Sequence, residues 1–195
     1  RVYDNLRHSG FSGPVYPLNP KYKRLYGQRC YSSMDAINKP VDLAVIATPA
    51  SGIADIMHDC GRHGVRMAII NSTGFSKGEG KSATLLKKLL EVARQYGIRI
   101  LGPNCLGLIR PGKGINATFS KNSALPGQLA LLSQSGALCT SILDWAGARQ
   151  IGFSAIVSLG DSADIDFGEL LDYLAQDSET HSILLYVEGI RDARH

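Results

Sequence analysis

Two nearly unbroken apolar runs, residues 41–47 and 65–70, each end in a loop of small polar residues, Pro or Gly. Runs this short and this apolar read as strands covered on both faces, the pattern of parallel sheets; a strand with one wet face alternates instead. Between them, residues 53–63 read as a helix that stops at Gly64. A longer helix over 82–96 follows, with Leu85, Leu86, Leu89, Val92, Ala93 and Tyr96 near one face and Gly97 after its end. Residues 98–101 read as a short strand, and so does Val15-Tyr16-Pro17. Val2 and Leu6 share a face of an opening helix that stops near Ser9-Gly10. Strands alternating with helices mean βαβ units and a parallel sheet with right-handed crossovers.

In such sheets ligands sit beyond the carboxyl ends of the strands. Three loops hold that position: 17–21, 48–52 and 71–75. Residues 102–126 show neither helical nor strand period, which makes them the expected join between two domains, 1–120 and 126–195. After the join the alternation restarts, with strands at 129–132, 153–158 and 183–187 and helices at 137–148 and 166–175. The fold class expected is therefore α/β in both halves.

The most chemically suggestive stretch is Leu132-Ser133-Gln134-Ser135-Gly136-Ala137-Leu138. A strand, a Ser/Gly turn and a helix start converge several backbone N–H groups on one point, and the helix dipole adds positive potential. Ser135 or Ser133 can cap the helix. Leu138, Ile142 and Trp145 are expected to form its buried face. An ordinary capped turn that binds nothing has the same local pattern.

The chain has 195 residues and a net charge of +4, with Lys and Arg scattered rather than massed, so nucleic acid is a poor partner. No apolar run approaches the roughly 18 residues that span a bilayer. Four well-separated cysteines, Cys30, Cys60, Cys105 and Cys139, fit unpaired thiols in a reducing cytoplasm and offer no zinc spacing. The five histidines are likewise unpaired at ligand spacing, so no metal is expected. Asp161, Asp164 and Asp166 resemble a calcium loop, but Glu169 comes too early to complete it; solvated acids or a helix cap fit better. Ser135 lacks the first Gly of a nucleophile elbow. Glu188, closing an apolar strand, could orient a histidine from elsewhere or face water. A dinucleotide-binding redox domain remains a further reading, although no GxGxxG is present and no acid ends the strand at Pro17. Arg1 to Leu6 reads as the middle of a helix without an initiator Met, so a piece of a longer protein is expected.

Taken together, Val15-Tyr16-Pro17-Leu18-Asn19-Pro20-Lys21, Leu101-Gly102-Pro103-Asn104-Cys105-Leu106-Gly107, the segment 132–138, Ser158-Leu159-Gly160-Asp161-Ser162-Ala163-Asp164-Ile165-Asp166 and Tyr186-Val187-Glu188-Gly189-Ile190 resemble the NDP-forming acyl-CoA synthetase superfamily. That group includes ADP-forming acetyl-CoA synthetases and the α subunit of succinyl-CoA synthetase. The resemblance implies a Rossmann-like CoA-binding domain and then a flavodoxin-like domain, both incomplete here. It implies that Asn19, Lys21, Thr48, Pro49, Asn71, Ser72 and Thr73 contact CoA or acyl-CoA. It implies that Ser133, Gln134, Ser135 and Gly136 receive a phosphorylated histidine, which Glu188 supports.

The resemblance also sets limits. The family's first strand and its Gly/Ser loop should precede Arg1, and its catalytic histidine should follow His195. ATP/ADP and Mg would belong to the parent protein, with downstream domains or a β-type subunit as partners. The chain alone should bind at best, and not turn over. A cousin with the same motifs is the synthetase-like region of large bacterial protein lysine acetyltransferases, which senses acyl-CoA.

Overall fold

A computed structural model describes residues 1–190. The first half holds α1 (Val2–His8), β1 (Arg24–Leu25), β2 (Gln28–Arg29), β3 (Leu43–Ile46), α2 (Ile53–Arg62), β4 (Met67–Ile70), α3 (Lys81–Tyr96) and β5 (Arg99–Leu101). Strands β3, β4 and β5 form a parallel sheet in that order. Helix α3 buries Leu86, Leu89, Val92 and Ala93 against it, and α2 buries Ile53, Met57 and Cys60. Each large apolar side chain so covered is worth about 1.5–3 kcal/mol. Gly97 ends α3 at φ 68°, a left-handed turn that glycine adopts without strain. Gly61 lets α2 approach α3: a Cβ there would overlap the Tyr96 ring.

Two expectations for this half change. Val15-Tyr16-Pro17 forms no strand; the segment makes a single bridge, Leu18 to Tyr31, with Tyr31 N–H donating to the Pro17 carbonyl at 2.8 Å. The cause lies in Pro14, Pro17 and Pro20, which remove every third N–H from any ladder. And β3 is not covered on both faces: three of its four residues are only half-buried, because it is an edge strand with β4 as its one neighbour among the described residues.

The second half holds β6 (Gly107–Arg110), β7 (Ile115–Thr118), β8 (Leu125–Ser133), α4 (Gly136–Ala148), β9 (Gly152–Ser158), α5 (Phe167–Ala175) and β10 (Ser182–Tyr186). The sheet order is β10-β8-β9-β6-β7. β10, β8 and β9 run parallel, as expected, while β6 is antiparallel to both β9 and β7. Residues 102–126 are thus not an aperiodic join. They contain the β6–β7 hairpin, which extends the second sheet. The two sheets also share a core, in which Ile69 and Leu101 of the first pack with Ala130, Leu132, Ala155 and Val157 of the second.

Helix α4 is turned relative to expectation. Its buried residues are Cys139, Leu143 and Ala146, while Trp145 is 52% exposed. No helix among the described residues is long and apolar enough to cross a membrane.

Candidate functional site

The turn after β8 is built by its own side chains. Ser133 is fully buried; its Oγ accepts the Ser135 N–H at 3.0 Å and donates to the Ser135 carbonyl at 3.0 Å. Ser135 is the helix cap, its Oγ accepting the Leu138 N–H at 3.2 Å. Of the backbone N–H groups at this turn, that of Ser135 is therefore already used. Those of Gly136 and Ala137 remain, in a first turn free of acidic side chains. The bare Cα of Gly136 faces protein, not an open mouth. A Cβ there would sit 3.4 Å from Leu106 Cβ and 3.6 Å from Ser158 Oγ, in ordinary van der Waals contact.

The side chain of Gln134 leaves the turn altogether. Its Oε1 accepts the N–H groups of Glu188 at 2.6 Å and Gly189 at 3.0 Å, and its Nε2 donates to the Gly189 carbonyl at 2.9 Å. Its backbone N–H donates to Tyr186 at 3.2 Å, next to the Ser133–Tyr186 rung of the β8–β10 ladder. Glu188 and the Ser133-to-Gly136 turn thus lie at the same, carboxyl, end of adjacent parallel strands. Glu188 itself is exposed. His195 lies outside the described residues.

The carboxyl ends of β3 and β4 bring a second group together. Ser72 Oγ donates to the Thr48 carbonyl at 2.5 Å, and the Asn71 N–H donates to Ile46 at 3.0 Å. Pro49 follows Thr48, and Thr73 follows Ser72, in these two loops. Asn71 is turned inward: its Nδ2 donates to the carbonyls of Cys105 at 2.9 Å and Leu106 at 3.2 Å. Its Oδ1 is buried without a partner. That amide ties the β4 loop to the turn before β6.

Asn19 and Lys21 lie elsewhere. Asn19 Oδ1 accepts the Lys21 N–H at 2.9 Å, a side-chain turn that leaves Lys21 exposed. Lys21 lines an open groove of about 460 Å³ together with Lys23, Arg29, Cys30 and Tyr31. The Arg29 guanidinium lies 4.8 Å from the Tyr31 ring centre. None of Thr48, Pro49, Asn71, Ser72 or Thr73 lines this groove. The β1–β2 hairpin draws the groove together, with the Cys30 N–H donating to Lys23 at 3.0 Å. Lys23 and Arg29 escape a reading that treats the cations as scattered. The signal was present as an imbalance: the first 40 residues carry seven Lys and Arg against two Asp and Glu, and the other 155 carry fourteen against fifteen.

The three loop acids each have a structural task. Asp161 accepts from Asn104 at 3.1 Å, Asp164 accepts from Arg99 at 3.0 Å and from the Ile100 N–H at 2.7 Å, and Asp166 caps α5. No cluster suited to a metal occurs among the described residues. All four cysteines are unpaired and buried. Burial pushes the thiols of Cys60 and Cys139 up to about 11 and that of Cys105 up to about 12, so these three are not nucleophiles.

Comparison with known proteins gives the family. Residues 1–111 match the CoA binding domain family and residues 126–195 the succinyl-CoA ligase like flavodoxin domain. The chain is 44% identical over 193 residues to acetate–CoA ligase (ADP-forming) I of Archaeoglobus fulgidus, covering 99% of this chain and 28% of the relative. It is 40% identical to the α subunit of acetate–CoA ligase (ADP-forming) I of Pyrococcus furiosus, covering 99% of this chain and 43% of that subunit. Among solved structures it matches the dinucleotide-forming acetyl-coenzyme A synthetase 1 of Ca. Korarchaeum cryptofilum in complex with phosphate and ADP. There the TM-score is 0.92 and the identity 38%, over 99% of this chain and 41% of the other. The chain thus spans less than half the length of each.

Proposed function

This chain belongs to the CoA-binding domain family, continued by a succinyl-CoA-ligase-like flavodoxin domain, and from that premise we propose that it is the CoA-binding part of an ADP-forming acyl-CoA synthetase. In that reading the longer protein interconverts acyl-CoA, ADP and phosphate with acid, CoA and ATP, with acetyl as the acyl group. Downstream domains or a β-type subunit supply the ATP/ADP and Mg site, and the protein works in the cytoplasm. The domains divide between residues 1–120 and 126–195, with the β6–β7 hairpin lending its hydrogen bonds to the second sheet.

Residues of this chain would share the work in two places. The cationic groove of Lys21, Lys23 and Arg29 suits the phosphate-bearing end of CoA, since Lys and Arg form short charge-assisted bonds with phosphate oxygens. Asn19 shapes the Lys21 turn, and Thr48, Pro49, Ser72 and Thr73 line the strand ends over which the rest of the molecule would lie. Asn71 would act from beneath, by holding the turn before β6. In the second half, the free N–H groups of Gly136 and Ala137 meet a phosphoryl group carried by a histidine, and Ser133 and Ser135 hold the turn rigid. Glu188 accepts from that histidine's imidazole and fixes its orientation.

The observation that carries this reading is the meeting of Glu188 and the 133–136 turn at one end of the sheet. A carboxylate at the opposite end could not serve a histidine whose phosphoryl group sits on α4. The lysine acetyltransferase cousin and the dinucleotide reading have less support, since the relatives matched here are named CoA ligases. Calorimetry of the longer protein with CoA tests the groove. Lys21→Glu should weaken binding by about 1–3 kcal/mol. Unchanged affinity would remove Lys21 from the CoA site.

A further inference from the structure

We propose that Gln134 is a positioning residue that holds Glu188 in register with the anion turn; this rests on the phosphate reading of that turn given above. The local geometry leaves the Gln134 side chain no task within the turn. Ser135 caps α4, Ser133 closes the turn, and the Gln134 N–H continues the β8–β10 ladder at Tyr186. The carboxamide instead reaches a segment 54 and 55 positions away and meets it three times. It acts as one more rung beyond the last residue of β10, bonding two N–H groups and one carbonyl of Glu188 and Gly189.

Among the described residues, little packing holds that segment. Leu184, Leu185, Tyr186 and Val187 are each more than 40% exposed, and Ile190 is 65% exposed. Nor do those backbone groups need Gln134 for solvation, because water reaches Glu188 and Gly189, and an exposed hydrogen bond adds little net stability. What three bonds from one planar amide do provide is geometry. They fix the Cα of Glu188, and so the origin of its carboxylate, relative to the Gly136 and Ala137 N–H groups. A misplacement of about 1 Å at a reacting centre can cost up to 100-fold in rate, so a fixed origin matters where a carboxylate must meet an imidazole whose phosphoryl group is already docked.

The test is a titration of the longer protein, selectively isotope-labelled, with inorganic phosphate, followed by NMR at the amides of Gly136, Ala137, Glu188 and Gly189 and at the Glu188 carboxyl carbon. In the native chain all five signals should move with one binding curve. In Gln134→Leu, and in Gln134→Asn, which is one methylene too short, Gly136 and Ala137 should still respond while the Glu188 signals no longer follow. In the longer enzyme the same variants should lower kcat by about ten-fold or more and leave KM for CoA unchanged. If Glu188 still follows phosphate in both variants, or if KM for CoA rises while kcat holds, the role of Gln134 is overturned and the anion turn stands. If Gly136 and Ala137 ignore phosphate in the native chain, the anion turn itself falls, and this proposal with it.

Discussion

Asn104 and Asp161 meet across the two halves of the chain, Nδ2 donating to Oδ1 at 3.1 Å. Around them the two turns interlock: the Asp161 N–H donates to Pro103 at 2.9 Å and the Ala163 N–H to Gly102 at 2.9 Å. Asn71 grips the same 102–107 turn from the β4 loop. Two of the segments that carry the resemblance in the sequence, 101–107 and 158–166, are therefore the clasp that sets one sheet against the other.

Gly160 is where that clasp is tightest. Its φ is 56°, and a Cβ there would overlap the carbonyls of Pro103 and Asn104. Gly160→Ala should destabilise the chain by about 2–4 kcal/mol, from left-handed strain plus overpacking. Urea unfolding checks this; a loss below 0.5 kcal/mol, roughly what a neutral surface change gives, would mean the turns are not in contact.

On α4, Leu143→Ala should cost about 2–4 kcal/mol, because it empties a buried site. Trp145→Ala should cost under about 1 kcal/mol, despite removing a larger side chain. Thermal melts of the two variants decide which stripe faces the sheet. The reverse order would restore the face expected from sequence.

That helix shows what was legible and what was not. Its length, cap and start follow from period and from Ser135. Its buried face does not, because Leu138, Cys139, Ile142, Leu143, Trp145 and Ala146 form one apolar arc of roughly 160°, wide enough that either of its edges could be the buried stripe. The β6–β7 hairpin was hidden because its strands are four residues long and bury Arg110 and Asn116, polar letters that break an apolar pattern. The β1–β2 turn places Tyr26 at φ 48° ahead of Gly27, without the Asn-Gly signal such turns usually carry. Missing it hid Lys23 and Arg29. The 133–136 turn was readable because its tasks are local. The partner of Gln134 lies 54 positions away and leaves no local trace.

The buried Arg110 gives a pH dependence. Asp177 accepts from the Thr180 hydroxyl at 2.7 Å and from Arg110 at 3.3 Å. The Thr180 bond first, and then Arg110, hold its carboxyl below the usual range. A lowered native value means stability that is present above the unfolded carboxyl's range, near pH 4, and lost as pH falls through the native one. Thr180→Val should therefore be less stable than the native chain at neutral pH, and the pH-dependent part of that gap should close on acidification. Chemical unfolding between about pH 7 and pH 3 reads this. A gap that widens towards acid would contradict it.

The central claim, that this chain is the CoA-binding part of an ADP-forming acyl-CoA synthetase, is tested most directly by turnover. The longer protein is supplied with acetyl-CoA, inorganic phosphate and ADP, and ATP is measured. The account predicts ATP formation that requires all three, falls when Lys21 is changed to Glu through a raised KM for acetyl-CoA, and falls with Gln134→Leu through kcat. A protein that binds acetyl-CoA, makes no ATP and instead transfers acetyl groups to protein lysines would contradict it.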